Sequence, residues 1–348
     1  MTLAQLQIQN LRNIRSARYN FHPHLNLIIG ANGSGKTSFL EAIYLLGSGH
    51  SFRTREISPL VSHDKDQLTV FARTNDEQSI SIQKSLTSAT QVRLNSYPCQ
   101  TTSELAYFLP CQVFYQDLFQ IIDAGPSVRR SLLDWGLFHV EPSYHNLLKE
   151  YKRALKQRNA LLRQKAQLRY FEPWNKIISE LALNLDNFRS GYFSQLQDEF
   201  KRILQQLTDI DCDIGYYKGW DRKGTNKELA KILIESHDSD LQRQYTHYGP
   251  HQADILIDSH HLKAKQFLSR GQQKIILIAI KLAQTVLMGK PCTFLFDDLT
   301  AELDNAHLDR LFELIFTLEG QFFITAINKD SIAIKLSQHP HLIFSLND

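Results

Sequence analysis

The chain has 348 residues, 43% of them hydrophobic and 22% charged, an ordinary globular composition with enough apolar material for one large domain or two. A net charge of +3 is too small to specify a partner by itself. The four cysteines, Cys99, Cys111, Cys212 and Cys292, are scattered without a C-x-x-C pair, which favours reduced thiols over a disulfide framework or a metal site.

The N-terminal "MTLAQLQIQNLRNIRS" alternates like a strand from Leu3 to Ile8 and lacks the charged and apolar regions of a signal peptide. Leu25–Ile29 reads as a buried strand, followed by a helix from Lys36 to about Leu46. Strand-like runs at Leu68–Thr74, Ser79–Lys84 and Gln91–Leu94, with turn signals such as "TNDEQ" between them, predict a mixed or antiparallel sheet. From about Ser127 the period becomes helical. Leu147, Leu148, Tyr151, Ala154, Leu155, Leu161 and Leu162 recur at three- and four-residue steps. After "FEP", the same spacing runs from Ile178 to Leu207. Two long helices with a short connection predict an antiparallel hairpin. A helix of ~25 residues is ~37 Å long, more than a globular core requires, so the hairpin is expected to project.

Strand signals return at Asp254–Asp258 and Leu262–Phe267. The apolar run from Ile275 is broken by Lys281 and Gln284 and falls short of the ~20 residues of a membrane span, so it reads as a buried helix. A strand before Asp297, a helix in "RLFELIFTL" and a strand in "QFFITAI" close the chain. The expectation is a soluble, cytoplasmic α/β protein with no membrane contact. Its α/β domain is split in sequence, residues 1–120 and 245–348, around an inserted helical arm, residues 121–244.

Gly30-Ala31-Asn32-Gly33-Ser34-Gly35-Lys36-Thr37 fits G-x-x-x-x-G-K-[ST]. Its glycines let backbone N–H groups curl toward phosphate oxygens, and the helix that follows, through Thr37 and Ser38, adds the positive end of its dipole. Lys36 is expected at the β- and γ-phosphates and Thr37 at Mg²⁺. The stretch "TFLFDDLTAELD" ends a buried strand in two aspartates with no basic residue nearby. Alone, such a pair is most simply an exposed turn cap. Beside a phosphate loop, Asp297 is expected to hold Mg²⁺ and Asp298 to orient or deprotonate the attacking water. The nucleotide expected is ATP.

In "LSRGQQK", Ser269 can cap the apolar helix and Gly271 leaves its N–H groups accessible. Ser269, Gly271 and Gln272 resemble the signature motif of ABC-type ATPases, and "AELD" resembles their D-loop. That resemblance implies a P-loop NTPase of ABC/SMC-head type in which ATP joins two heads, with Asp304 facing the second subunit. The ordered set "LQIQNLRNIRSARYNF", "LIIGANGSGKTSFLEAIYLLGSGHSFRT", "AGPSVRRSLLDW", "THYGPHQADI", "LSRGQQK" and "FLFDDLTAELD" resembles the RecF family over nearly the whole chain. The resemblance implies an ATP-dependent homodimer that closes on duplex or gapped DNA. It implies a place in recombinational repair, replication and the SOS response, with recombinase loaded alongside RecO- and RecR-like mediators. It assigns Arg12 to the nucleotide and Gln116 to a water or Mg²⁺ contact, although Tyr115-Gln116 stands where the family usually has Pro-Glu. Gln252 stands where it usually has Arg. Thr325 lies near the place of the transporters' switch histidine, which implies slow, DNA-stimulated hydrolysis.

Lys149–Arg169 holds eight Lys/Arg and one acid. It is either the solvated face of a hairpin or a phosphate-backbone contact, for which Lys149, Lys152, Arg153 and Lys156 are the candidates. Two other readings are an ABC-transporter ATPase subunit and an SMC-type structural ATPase. Lys36 and Ser269 are 233 positions apart (269 − 36), more than the ~100 of a compact transporter head, and the hairpin is short for an SMC coiled coil.

Overall fold

The computed structural model describes residues 1–115, 125–222, 224–259, 262–263, 268–299, 303–327 and 340–346. The strands are β1 (Leu3–Leu11), β2 (Ile14–Asn20), β3 (Leu25–Ile29), β4 (Gln67–Thr74), β5 (Ser79–Ser85), β6 (Gln91–Leu94), β7 (Tyr97–Pro98), β8 (Cys111–Phe114), β9 (Asp213–Tyr217), β10 (Asp254–Ser259), β11 (Leu262–Lys263), β12 (Cys292–Phe296), β13 (Gly320–Ala326) and β14 (Leu342–Ser345). The helices used below are α1 (Lys36–Ser48), α2 (Pro126–Val140), α3 (Tyr144–Arg163), α4 (Glu172–Leu207), α5 (Arg270–Met288) and α6 (Asn305–Thr317). The chain forms two compact units, one of residues 1–118 with 289–348 and one of residues 119–288.

In the first unit the antiparallel sheet has the order β2-β1-β4-β5-β6-β7, and the parallel sheet the order β14-β3-β13-β12-β8. The alternation of β1 slips near both ends: Ile8 and Leu11 both face the core across Asn10 at φ 55°, and Leu3 and Leu6 both face it although they too differ by an odd number. A register shift against β4 between Leu3 and Gln5 absorbs the extra residue, as a bulge does. β3, β8, β12 and β13 are buried almost throughout, as parallel strands covered on both faces are. Helix α1 packs into the same core as both sheets. Phe39, Leu40, Ala42, Ile43, Leu45 and Leu46 are fully buried with Leu6, Ile8, Val70, Ile82, Leu295 and Phe323. Helix α1 therefore has almost no polar face, and the phosphate loop before it is fixed by the unit's main core.

The second unit contains the two long helices. α4 has 36 residues, about 54 Å of helix, and α3 packs along it. In the short sheet β11-β10-β9 the expected strand at Asp254–Asp258 pairs with β9, a strand that the sequence reading does not include. Residues 264–267 of the expected 262–267 strand lie outside the described residues. Helix α5, which carries the signature-like residues at its start, packs on α4 and α2 in this unit. Two arginines are wholly inside. Arg158 donates to Asp240 (2.8 Å), Thr246 (2.7 Å) and Asn175 (2.8 Å), and Arg189 donates to Asp134, Tyr144 and the Pro250 carbonyl. The Gly-Pro-His segment is locked by His251, whose Nε2 lies 2.9 Å from the Thr246 carbonyl and whose Nδ1 lies 2.7 Å from Tyr151 Oη. A carbonyl only accepts, so Nε2 carries the proton and the tyrosine hydroxyl donates to Nδ1.

Candidate nucleotide-binding site

The loop between β3 and α1 turns through Gly33 (φ 89°) and Gly35 (φ 98°), left-handed conformations in which a side chain would be strained. Lys36 is 7% exposed, and its ammonium donates to the loop's own carbonyls, Gly30 O at 2.7 Å and Ala31 O at 3.0 Å. Asn13, in the turn between β1 and β2, braces the loop from outside. Its Nδ2 donates to Gly33 O (3.0 Å) and its Oδ1 accepts from Ser38 Oγ (3.1 Å). Ser34 Oγ is buried without a hydrogen-bond partner among the described residues, against Gly30, where an added Cβ would meet it at 2.2 Å.

The acidic end of β12 faces this loop. Thr37 Oγ1 donates to the Asp297 carboxylate, 2.9 Å from Oδ2 and 3.1 Å from Oδ1. Thr325 Oγ1, from the neighbouring strand β13, lies 3.1 Å from Asp297 Oδ1 and accepts the Asp298 N–H at 2.8 Å. Burial pushes the Asp297 pKa up from the ordinary carboxylate value, and Asp298 adds to that shift. The hydroxyls of Thr37 and Thr325 and the charge of Arg53 oppose it. Asp298 is held at φ 52°, and its Oδ1 is buried with no partner among the described residues. A cleft of about 470 Å³ joins the two halves. Asn32, Lys36, Thr37, Asp297 and Asp298 line it, together with Asn13, Arg53, Gly33, Gly35 and Ser38.

Lys36, Thr37, Ser38, Asp297 and Asp298 thus meet in one cleft, as do the loop residues Asn32, Gly33 and Gly35. Arg12 is placed differently. Its guanidinium forms a two-pronged pair with the fully buried carboxylate of Glu41 on α1, and Ser51 Oγ donates to the same carboxylate. Ser51 Oγ in turn accepts the N–H groups of Arg53 and Thr54, so Glu41 anchors the loop that brings Arg53 to the cleft. Asn13 and Glu41 lie within stretches that carry the family resemblance, but sequence reasoning gives neither a role. Gln116 lies outside the described residues.

The remaining candidates begin helices or line one. Ser269 and Gln272 cap α5 reciprocally: Ser269 Oγ accepts the Gln272 N–H (3.3 Å) and Gln272 Oε1 accepts the Ser269 N–H (2.8 Å). An added Cβ on Gly271 would meet nothing within 4 Å. Asp304 caps α6, accepting from His307 N at 2.9 Å and lying 2.8 Å from His307 Nδ1, and these contacts lower its pKa. The D-loop residues 301–302 before it lie outside the described residues. On α3, Lys149, Lys152, Arg153 and Lys156 are all at the surface, whereas Arg158 from the same basic run points into the core.

A parallel sheet split in sequence, a phosphate loop feeding a buried helix, and an acidic strand end facing it define a P-loop ATPase head of the SMC type. The RecF/RecN/SMC N terminal domain family matches residues 2–340. The chain is 36% identical over 340 residues to the DNA replication and repair protein RecF of Marinomonas sp. (strain MWYL1), covering 95% of this chain and 92% of that one. It is 34% identical to RecF of Vibrio cholerae serotype O1 (strain ATCC 39541), with 97% and 96% covered. The chain belongs to the RecF family of DNA replication and repair proteins. Among solved structures, the recombination mediator protein RecF with ATP, of the RecFOR pathway, superposes with a TM-score of 0.82 at 27% identity, over 94% of this chain and 92% of that one. An Smc head bound to the C-terminal winged-helix domain of ScpA shares the fold, with a TM-score of 0.60 at 18% identity over 96% and 91%. Among the described residues, no helix is long and apolar enough to cross a membrane.

Proposed function

We propose that this chain binds ATP and Mg²⁺ in the cleft and that nucleotide binding closes two copies on duplex or gapped DNA, with slow hydrolysis releasing them. The bound protein then helps load recombinase at single-strand/duplex junctions, together with RecO- and RecR-like mediators. The observation that carries this reading is the Thr37–Asp297 hydrogen bond inside a cleft that also holds Lys36 and Asp298. A threonine hydroxyl and a carboxylate are hard oxygen donors of the kind Mg²⁺ takes, and the unpartnered Asp298 Oδ1 beside them fits a site that still lacks a donor. Thr37 and Asp297 would hold the ion, which when bound neutralises charge on the terminal phosphates.

Lys36 has a clear part. Its ammonium now rests on loop carbonyls, so it is aimed along the loop and exchanges neutral acceptors for phosphate oxygens when nucleotide enters. Asp298 is the water-orienting group, one methylene shorter than the glutamate of transporter heads. At the start of a 19-residue helix, Gly271 presents its N–H and Ser269 the hydroxyl hydrogen that its cap leaves uncommitted to the terminal phosphate of the second copy's nucleotide. The surface row Lys149, Lys152, Arg153 and Lys156 supplies sequence-independent contact with DNA phosphates.

The test is DNA retention and oligomeric state, with and without ATP, for the wild type, Lys36→Met and Ser269→Arg. We expect ATP-dependent retention and dimerisation in the wild type alone. A monomer under every condition, or no retention at low salt, would overturn the closing mechanism.

A further inference from the structure

We infer that Thr325 is a positioning residue for the two aspartates: its hydroxyl holds the Asp297 carboxylate and the Asp298 backbone in the arrangement the cleft uses. This rests on the roles proposed above for Asp297 and Asp298. Thr325 is fully buried on β13, and strand pairing of Ile324 with Phe296 places it beside the point where β12 ends. A hydroxyl has one proton and can accept as well as donate. The acceptor side takes the Asp298 N–H at 2.8 Å. The proton has two candidate acceptors, Asp297 Oδ1 at 3.1 Å and the Phe296 carbonyl at 3.4 Å, and the nearer one is the ionisable carboxylate, where the bond is charge-assisted.

The arrangement explains two otherwise separate oddities. Asp298 sits in the left-handed region, which disfavours residues with a side chain, aspartate less than most. The Thr325 hydroxyl helps hold it there by satisfying the N–H of this residue. The second oddity is that Asp297 Oδ2 is paired with Thr37 while Oδ1 is shared between Thr37 and Thr325. With Oδ1 fixed from behind by a strand residue, the rotation of the carboxylate is set before any ligand arrives. One side chain on β13 thus orients an ion-holding group through its side chain and a water-orienting group through its backbone.

The test is the affinity of a non-hydrolysable ATP analogue for the full chain, measured in EDTA and in Mg²⁺, with the ATPase rate as a second readout. Thr325→Val keeps the β-branched shape and removes the hydroxyl, while Thr325→Ser keeps the hydroxyl. Loss of an outer partner of a metal-holding residue weakens ion binding about 10- to 100-fold. We therefore expect Thr325→Val to raise the Mg²⁺ concentration for half-maximal effect by about tenfold or more and to lower kcat, with EDTA affinity unchanged. Thr325→Ser should restore both. Equal weakening of Thr325→Val in EDTA and Mg²⁺, unchanged Mg²⁺ dependence, or no rescue by serine would overturn the inference. Asp297→Asn, run in parallel, separates the two levels: if it too leaves Mg²⁺ dependence intact, the assignment of Asp297 itself fails.

Discussion

Thr37 and Asp297 lie 260 positions apart in the chain, yet the threonine Oγ1 sits 2.9 Å from the aspartate Oδ2. The contact joins the first turn of α1 to the end of β12 and makes the phosphate loop and the acidic strand one site.

The Asp297 carboxyl is held above its ordinary pKa mainly by burial. Such a group binds its proton more tightly folded than unfolded, so its contribution to stability falls as pH rises through the carboxylate range and stays lost above it. At pH 7 the charged form is a net burden in the free protein. Asp297→Asn should therefore raise the melting temperature without ligand. It should also abolish the further rise that ATP with Mg²⁺ gives the wild type. Differential scanning fluorimetry reads both, and a lower ligand-free melting temperature would contradict the first.

The His251 pKa is pushed down to about 4, chiefly by burial. Its unfolded value is near 6.5, so between the two the unfolded chain binds more protons and stability rises with pH. The contribution is complete above about pH 6.5 and is lost as pH falls to about 4, a total of about 3 kcal/mol. Urea unfolding followed across that window should show the slope, and His251→Gln should flatten it.

Arg158 and Asp240 form a wholly buried ion pair. Removing one partner leaves the other charged inside the core, so Asp240→Ala should cost about 3–5 kcal/mol. The double variant Arg158→Met with Asp240→Ala should recover much of that loss, since neither charge of this pair then remains without its partner. Equilibrium unfolding of the three variants checks the ordering.

Charge reversal at Lys152, Arg153 and Lys156 should weaken ATP-dependent DNA binding about equally for all sequences. It should also lower the slope of log affinity against log salt by roughly one for each DNA phosphate that is no longer neutralised. A titration at several salt concentrations measures both. Unchanged affinity would remove α3 from the DNA interface.

The site is legible in the sequence where its chemistry is local. The phosphate loop is eight consecutive residues between a strand and a helix, and Asp297 ends a run of five buried strand residues. Partner choice across the fold is not legible. Asn13 bracing the loop, and Glu41 taking Arg12, join residues that no local pattern links. Arg158 does leave a signal: Tyr151, Ala154, Arg158 and Leu162 are spaced by three and four residues, so it lies on the buried stripe of α3. Counting charge along the segment includes it in the basic face, whereas its position on the helix excludes it.

The reciprocal cap at Ser269 and Gln272 has a directional consequence. Ser269 Oγ uses a lone pair to receive the Gln272 N–H, and that role leaves the hydroxyl hydrogen uncommitted to the cap. Ser269 is exposed, so the side chain that starts the helix can keep its structural bond and still offer a donor outward. In the role proposed for Ser269, helix initiation and anion capture would draw on opposite ends of one O–H group, and neither would be given up for the other. Alanine there would remove both together, whereas a bulky residue that still capped the helix would block only the second.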